Sequence, residues 1–345
     1  MNETVYLTDR TSIETDWECG MRYWWFKKEG GTGIEPKVKP PYFVEGAEIH
    51  RDLVEVAQDT PLATILENIP AFQAKNPTQI ELEVASRRAG WVAAFALFQE
   101  PFIRSLGEPI SVEKEFILDR NPLYVAYTPD RILKRDNKLR YIEYKSAGRL
   151  TGNWAVHWPY AIQLHIGLAG IEEEFRLSSS CGNVLGFYKG EQRDGRLTHP
   201  YVWAYRRGAE WSSGYKSGFE HAPVWEYPEG MIGWVTRLGQ EGAGKVMSWS
   251  EPVYLDRRYL ESIIQRRISR EAEIVQWASQ ASISREVREQ VFEQRTIHCR
   301  PVIGPACPYL AACFDAAVNL NPTGTGLYVK RSPHHEAEEL WNTDA

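Results

Sequence analysis

Apolar residues recur at helical spacing in the first third of the chain and at alternate positions in the middle. Residues 11–28 (TSIETDWECGMRYWWFKK) read as a helix, with Thr11 or Ser12 as candidate N-cap and lysines at its end. A Gly/Pro-rich loop follows, then helical stretches at about 44–69 and 78–106. The second of these aligns Leu82, Ala85, Ala89, Val92, Ala93 and Leu97 on one face. The period then drops to two in SVEKEFIL (111–118), LYVAYTPDRILKR (123–135) and LRYIEYKSA (139–147). Asn121-Pro122 and Asp136-Asn137 supply turns between these segments, which predicts a three-stranded meander. A helix is expected at 155–171 and strands at 183–189 and 201–206. Residues 208–246 show no clean period and read as an irregular insertion or long loop. An amphipathic helix is expected from Asp256 to Ser279, with Leu260, Ile263, Ile264, Ile268, Ile274 and Val275 on one face. The tail after 321 is polar and expected to fray, and no internal repeat is visible.

This order predicts an α/β core with N- and C-terminal helical sections. The expected divisions are a helical section at 1–106, the core at 107–207, the insertion at 208–255, a helical and cysteine-bearing section at 256–320, and the tail at 321–345. At 345 residues, one elaborated domain or two are both compatible with the length. Hydrophobic residues at 43% and charged residues at 25% are ordinary for a globular chain. The 13 Trp and 17 Tyr predict a large core and offer surfaces for stacking. A net charge of −6 does not support a generally basic nucleic-acid-binding protein. Two local basic runs, 131–140 and 257–270, read individually as solvated faces. The first ten residues lack the pattern of a secretory leader, and no apolar run is long enough to span a bilayer. The expectation is a cytoplasmic protein without membrane contact, in a compartment where disulfides are rare.

Candidate chemistry begins at YIEYKSAG, Tyr141–Gly148. Alternation places Ile142 and Tyr144 on one strand face and Glu143 and Lys145 on the other. Pro129-Asp130 lies near the end of the preceding segment, and pairing through a short turn brings Asp130 toward Glu143. Two converging carboxylates repel unless a cation lies between them, and oxygen ligands suit Mg²⁺ or Mn²⁺. Lys145 shares the face of Glu143, where its ammonium can orient a water or stabilise charge on a phosphate. By itself, D…ExK is more often a surface hairpin with a cross-strand ion pair. His50, in GAEIH, sits upstream on a helix, and Gln163 sits on the helix after the third strand.

The ordered set His50, Pro129-Asp130, Glu143-Tyr144-Lys145 and Gln163 resembles the RecB-like branch of the PD-(D/E)XK nuclease superfamily, over residues 46–167. The resemblance implies a restriction-endonuclease-like core, a mixed sheet flanked by helices. It implies that Asp130 and Glu143 hold the divalent metal, with His50 and the Tyr144 backbone carbonyl completing the site. It also implies that Lys145 assists catalysis and that Gln163 holds the site or the DNA. The chain departs from the family's Gln-x-x-x-Tyr: four residues after Gln163 stands Gly167, and Tyr160 lies one turn earlier.

Cys299, Cys307 and Cys313 fall within fifteen residues (CRPVIGPACPYLAAC), while Cys19 lies in the first helix and Cys181 stands alone as an expected buried, inert thiol. Clustered cysteines in a reducing compartment argue for metal or cluster ligation, with Cys19 or His298 as the fourth ligand. Zinc is the alternative metal, although the paired C-x-x-C is absent. The stretch Cys307–Cys313 resembles the C-x-Y-x-x-x-C ending of RecB-like nucleases that carry an iron–sulfur cluster, and Cys19 through Arg22-Tyr23 resembles their first cysteine helix. Those relatives include CRISPR-adaptation enzymes and the AddB subunit of recombination nucleases. The interval Cys299-x₇-Cys307 is wider than theirs. The resemblance implies a [4Fe–4S] cluster on Cys19, Cys299, Cys307 and Cys313, tying the terminal helical sections together.

These residues predict a divalent-metal-dependent DNA nuclease, exonuclease-like, acting on DNA ends or single strands of a bacterial, archaeal or phage-infected cell. Recombination, helicase or CRISPR-adaptation proteins are the partners the resemblance implies, and no helicase motif is present. The competing readings are a non-cleaving DNA- or partner-binding module on the same fold, and a zinc-stapled structural protein.

Overall fold

The computed structural model describes residues 5–28, 32–39, 41–147, 152–189, 199–227, 229–295, 299 and 306–332. Its organising element is the ten-residue strand Lys138–Ala147. Strict alternation would ordinarily leave one face of such a strand wet. Here both faces are covered. Ile142 and Tyr144 pack with Phe95, Leu185 and Phe187 in one core. Leu139 and Tyr141 pack with Leu164, Leu168 and Val184 in a second. Each fully buried side chain of this size contributes about 1.5–3 kcal/mol of hydrophobic stabilisation.

The class is mixed α/β. Five strands lie in the order Met247–Trp249, Ser178–Tyr188, Lys138–Ala147, Arg131–Arg135, Glu108–Val112. Lys138–Ala147 runs antiparallel to Arg131–Arg135 and parallel to Ser178–Tyr188. The antiparallel pair closes through Asp136 and Asn137, both at positive φ (49° and 58°), the geometry that matches a hairpin's twist. The parallel pair needs a crossover, and the helix Ile162–Phe175 supplies it.

The expected single meander is instead divided between two sheets. The first alternating run breaks at Glu113, which has a left-handed φ of 48°. The second breaks at Pro129-Asp130, where proline has no N–H to give a ladder. Glu108–Val112 and Arg131–Arg135 remain in the five-stranded sheet. Phe116–Arg120 and Leu123–Tyr127 join Tyr6–Asp9 in another. The period of two continues through both bends, so the alternation does not reveal them.

The helical sections are also more divided than their periodicity suggests. The 11–28 segment comprises Arg10–Glu18, Gly20–Tyr23 and a π-helical turn Trp24–Lys28, with extended Cys19 between the first two. Its cap is Asp9, not Thr11 or Ser12: Asp9 accepts from the Ser12 amide and hydroxyl, each at 2.7 Å. The 44–69 stretch becomes Pro41–Ala57 and Leu62–Glu67, divided before Pro61. The 78–106 stretch begins with a capping box between Thr78 and Glu81 and stays helical to Leu106. The helix expected at 155–171 becomes Gly152–Val156 and Ile162–Phe175, parted at Pro159.

Residues read as irregular hold a three-stranded antiparallel sheet (Trp203–Arg207, Glu210–Ser213, His221–Pro223) and the helix Gly230–Val246. Gly239 is non-helical (φ 62°, ψ −161°) and kinks this element into two shorter helical runs, which breaks its period along the sequence. The long C-terminal helix spans Arg257–Ile283. Val275, expected on its apolar face, instead faces out and is 56% exposed. Among the described residues no helix is long and apolar enough to cross a membrane. The tail expected to fray after 321 does not do so at once: Tyr328–Lys330 pairs antiparallel with Ile34–Pro36 and Tyr328 is buried, while residues beyond 332 lie outside those described.

The crossover helix packs so tightly on the second core that Gly170 has no room for a side chain. A Cβ there would lie 2.2 Å from the Tyr127 hydroxyl oxygen and 2.3 Å from its Cζ. Alanine normally favours a helix over glycine by up to about 1 kcal/mol, but overpacking costs about 1–3 kcal/mol. Gly170→Ala is therefore expected to lower the midpoint of denaturant unfolding. A raised midpoint would contradict this packing.

Candidate functional site

The two bends that divide the meander lie side by side. Val112 pairs with Arg131, so the next residue outward on each strand, Glu113 and Asp130, meet at the corner. The Glu113 amide donates to the Asp130 carbonyl at 3.3 Å. The helix Pro41–Ala57 carries His50 over this corner. His50 Nδ1 lies 3.7 Å from both Glu113 Oε1 and Asp130 Oδ1. One ligand atom from each of the three residues lies within 4.8 Å of the others. An imidazole nitrogen and two carboxylates suit Mn²⁺, Mg²⁺ or another borderline-hard divalent ion. The Tyr144 backbone N–H donates to Asp130 Oδ2, fixing its orientation. Tyr144 was expected to lend its carbonyl; the contact present here is through its amide.

Glu143 has no exposed surface. Arg10 grips it with two nitrogens, Nη1 to Oε2 at 3.0 Å and Nη2 to Oε1 at 2.7 Å. Lys145 Nζ lies 2.6 Å from Oε1, and the Tyr141 hydroxyl donates to Oε2. Arg10 also donates to the Tyr141 oxygen at 2.8 Å. Glu143 is thus buried and paired rather than wet, while Lys145 beside it stays partly exposed.

These environments drive the two carboxylates apart. Burial opposes the charge on Glu143, but the Arg10 guanidinium and Lys145 ammonium outweigh it and hold the carboxyl well below the usual range. Asp130 lacks such partners. Burial, reinforced by the charge on Glu143, pushes it up to about 7. Burial also works against a charged His50, yet Asp130 and Glu113 raise its pKa overall. The His50–Glu113–Asp130 corner therefore retains protons near neutrality that a cation would displace.

Gln163 is buried at the start of the crossover helix, beside Glu14. Its backbone N–H reaches the Glu14 carboxyl, whose pKa burial raises against the pull of Arg10 and Lys145. Tyr160 is not a helical substitute for the missing tyrosine: it precedes the helix, and its side chain is exposed. Gly167 has a local reason. A Cβ there would lie 2.8 Å from Cε1 of Tyr141. The Tyr141 ring occupies that space and turns its hydroxyl to Glu143.

Of the residues expected at the site, His50 and Asp130 converge directly, and Glu143 and Lys145 adjoin them in an ion-paired group. Three participants escape a linear reading. Glu113 becomes visible only once the pairing of Val112 with Arg131 is known. Arg10 and Glu14 come from a helix more than a hundred residues away in sequence.

The cysteines form a second group. Cys19, Cys299 and Cys313 are buried, and all four with Cys307 are free thiols. The Cys307 amide donates to the Cys299 carbonyl at 2.9 Å. Burial raises the Cys299, Cys307 and Cys313 thiols, that of Cys313 to about 12, and each is raised further by neighbouring cysteines including Cys19. The Trp25 indole N–H points at Cys313 Sγ, 3.2 Å away. No three cysteine sulfurs among the described residues lie within 4.8 Å of one another. His298, the other candidate fourth ligand, lies outside the described residues. Cys181 is separate and buried, with Sγ 3.5 Å from Asn183 Oδ1.

No protein-family model matches the chain, and no curated protein matches it.

Removing Arg10 leaves a buried carboxylate with Lys145 as its remaining cation. Arg10→Ala is expected to destabilise the metal-free protein by about 3 kcal/mol, and Mn²⁺ is expected to restore part of that loss. Denaturant unfolding in EDTA and in Mn²⁺ measures both. An equal loss in the two conditions would separate Arg10 from cation binding.

Proposed function

We propose that this chain is a divalent-metal-dependent DNA nuclease of the RecB-like PD-(D/E)XK type, hydrolysing phosphodiesters at DNA ends or in single strands. The observation that carries the reading is the convergence of Asp130, Glu143 and Lys145 at one end of a buried strand pair, with His50 and Glu113 closing the corner. Surface hairpins do not bury an acid completely and then neutralise it from a distant helix.

In this reading His50, Glu113 and Asp130 would hold the cation, with Glu143 kept beside them by Arg10. The chemistry a divalent cation supplies is a more acidic water and a neutralised phosphate. Lys145 is one-third exposed while its ammonium stays anchored on Glu143. It can therefore face a phosphodiester and stabilise the charge that develops there. Arg10 and Tyr141 keep Glu143 ionised and in place. Gln163, at the start of its helix, borders the same space through Glu14.

The cysteine group is read as the ligand set of a structural [4Fe–4S] cluster. The placement of Cys19 near Cys299, Cys307 and Cys313, with an indole N–H aimed at the Cys313 sulfur, supports this. Cys19 would then join the first helix to the C-terminal section.

A second reading has one observation in its favour: the grip of Arg10 on Glu143 is compatible with a module that binds DNA or a protein without cutting. Cleavage of end-labelled single- and double-stranded DNA with Mg²⁺ or Mn²⁺ separates the two. The wild type is expected to cut, and Lys145→Ala to lose about 10²–10³-fold in rate while remaining folded. Undiminished cutting by Lys145→Ala would refute the proposed role. A wild type that binds single strands and never cuts would favour the module. Metal analysis of anaerobically purified protein is expected to find iron and sulfide; stoichiometric zinc in their place would overturn the cluster.

A further inference from the structure

A cleft of about 540 Å³ opens between the helix Arg10–Glu18, the long helix Arg257–Ile283 and the segment around Glu293. Four arginines line it: Arg266, Arg267, Arg270 and Arg295. Three already have acids. Asp16 holds Arg267 at 3.0 Å and Arg270 at 3.1 Å, and Glu293 holds Arg295 at 3.3 Å. Arg266 is exposed, and among the described residues no carboxylate holds it. The remaining wall is Trp17, 36% exposed. Its backbone carbonyl accepts from Arg295 at 2.6 Å, which fixes that turn of the helix. A shallower groove continues past Arg266 and Arg270 to Gln265 and Ser269.

A half-exposed indole beside a free guanidinium is a poor arrangement for stability alone. It suits a ligand that offers a flat ring and an anion together. A single-stranded nucleic acid does so at every step, because each unpaired base presents a face and each linkage a phosphate. A duplex hides its base faces. An acidic peptide would use the arginines but leave the indole without a stacking partner.

Position strengthens the argument. Arg10, Glu14 and Trp17 recur at i, i+4 and i+7, so they share one stripe of the helix. Arg10 ends that stripe at Glu143, and Trp17 ends it in the cleft about 10 Å along the axis. We propose that this cleft holds a single-stranded nucleic acid, with a phosphate on Arg266 and an unpaired base on Trp17. That the strand continues along the helix toward Lys145 rests on the nuclease reading; the binding itself does not.

The test is fluorescence anisotropy of labelled oligothymidine with the full chain in EDTA, where binding is read without cutting. Trp17→Ala is expected to weaken binding about 5- to 100-fold. Arg266→Glu is expected to weaken it and to reduce the salt dependence by about one phosphate contact. Both side chains are exposed, and circular dichroism and thermal melting check that the variants remain folded. Wild-type affinity in both folded variants, or a wild type that binds no oligothymidine, would overturn the proposal. So would displacement by polyglutamate as effectively as by unlabelled oligothymidine, which would make the cleft a face for an acidic protein. Loss of binding in both variants of a protein that never cuts would support the cleft and sink the nuclease reading. A protein that cuts while both variants bind normally would do the reverse.

Discussion

A carboxylate with no exposed surface stands in the middle of the central sheet, and much of the surrounding structure serves to neutralise it. Glu143 cannot stay ionised at that depth without cations of its own. Lys145 supplies one from the same strand. Arg10 supplies the other from 133 positions away. The N-terminal segment is therefore not a loose arm. Tyr6–Asp9 pairs in parallel with Leu123–Tyr127, Asp9 caps the helix that begins at Arg10, and Lys27 pairs with Asp9 at 2.6 Å. These contacts set where the Arg10 guanidinium lies.

The same short helix has further duties along its length. Glu14 meets the start of the crossover helix. Asp16 binds Arg267 and Arg270 of the long C-terminal helix, and Arg267 also reaches the Tyr23 hydroxyl at 2.7 Å. Cys19, at the C-terminal end, faces the region of Cys299, Cys307 and Cys313. One short element thus adjoins the carboxylate site, the arginine cleft and Cys19.

The residues that carry local signals were legible in the sequence. The alternation of YIEYKS placed Glu143 and Lys145 together, and Asp136-Asn137 identified the turn that brings Asp130 near them. What the alternation could not show was depth. A period of two ordinarily means one wet face, but the helices Ile162–Phe175 and Arg257–Ile283 cover the face of Tyr141. Glu113 and Arg10 were missed because strand pairing and sheet edges bring them in, and neither leaves a local pattern. The basic run at 131–140 was misleading at its first residue: Arg131 is fully buried against Glu100. In the run at 257–270, Arg266 and Arg270 do face an open cleft.

The account depends most on a cation site at the His50–Glu113–Asp130 corner. Titration of the metal-free protein with Mn²⁺, followed by electron paramagnetic resonance together with proton release, tests it directly. Because Asp130 is pushed up to about 7 in the absence of a cation, stoichiometric Mn²⁺ binding near neutral pH should expel protons, and Asp130→Asn should abolish the binding. Failure to bind Mn²⁺ stoichiometrically, or binding that persists unchanged in Asp130→Asn, would contradict the account.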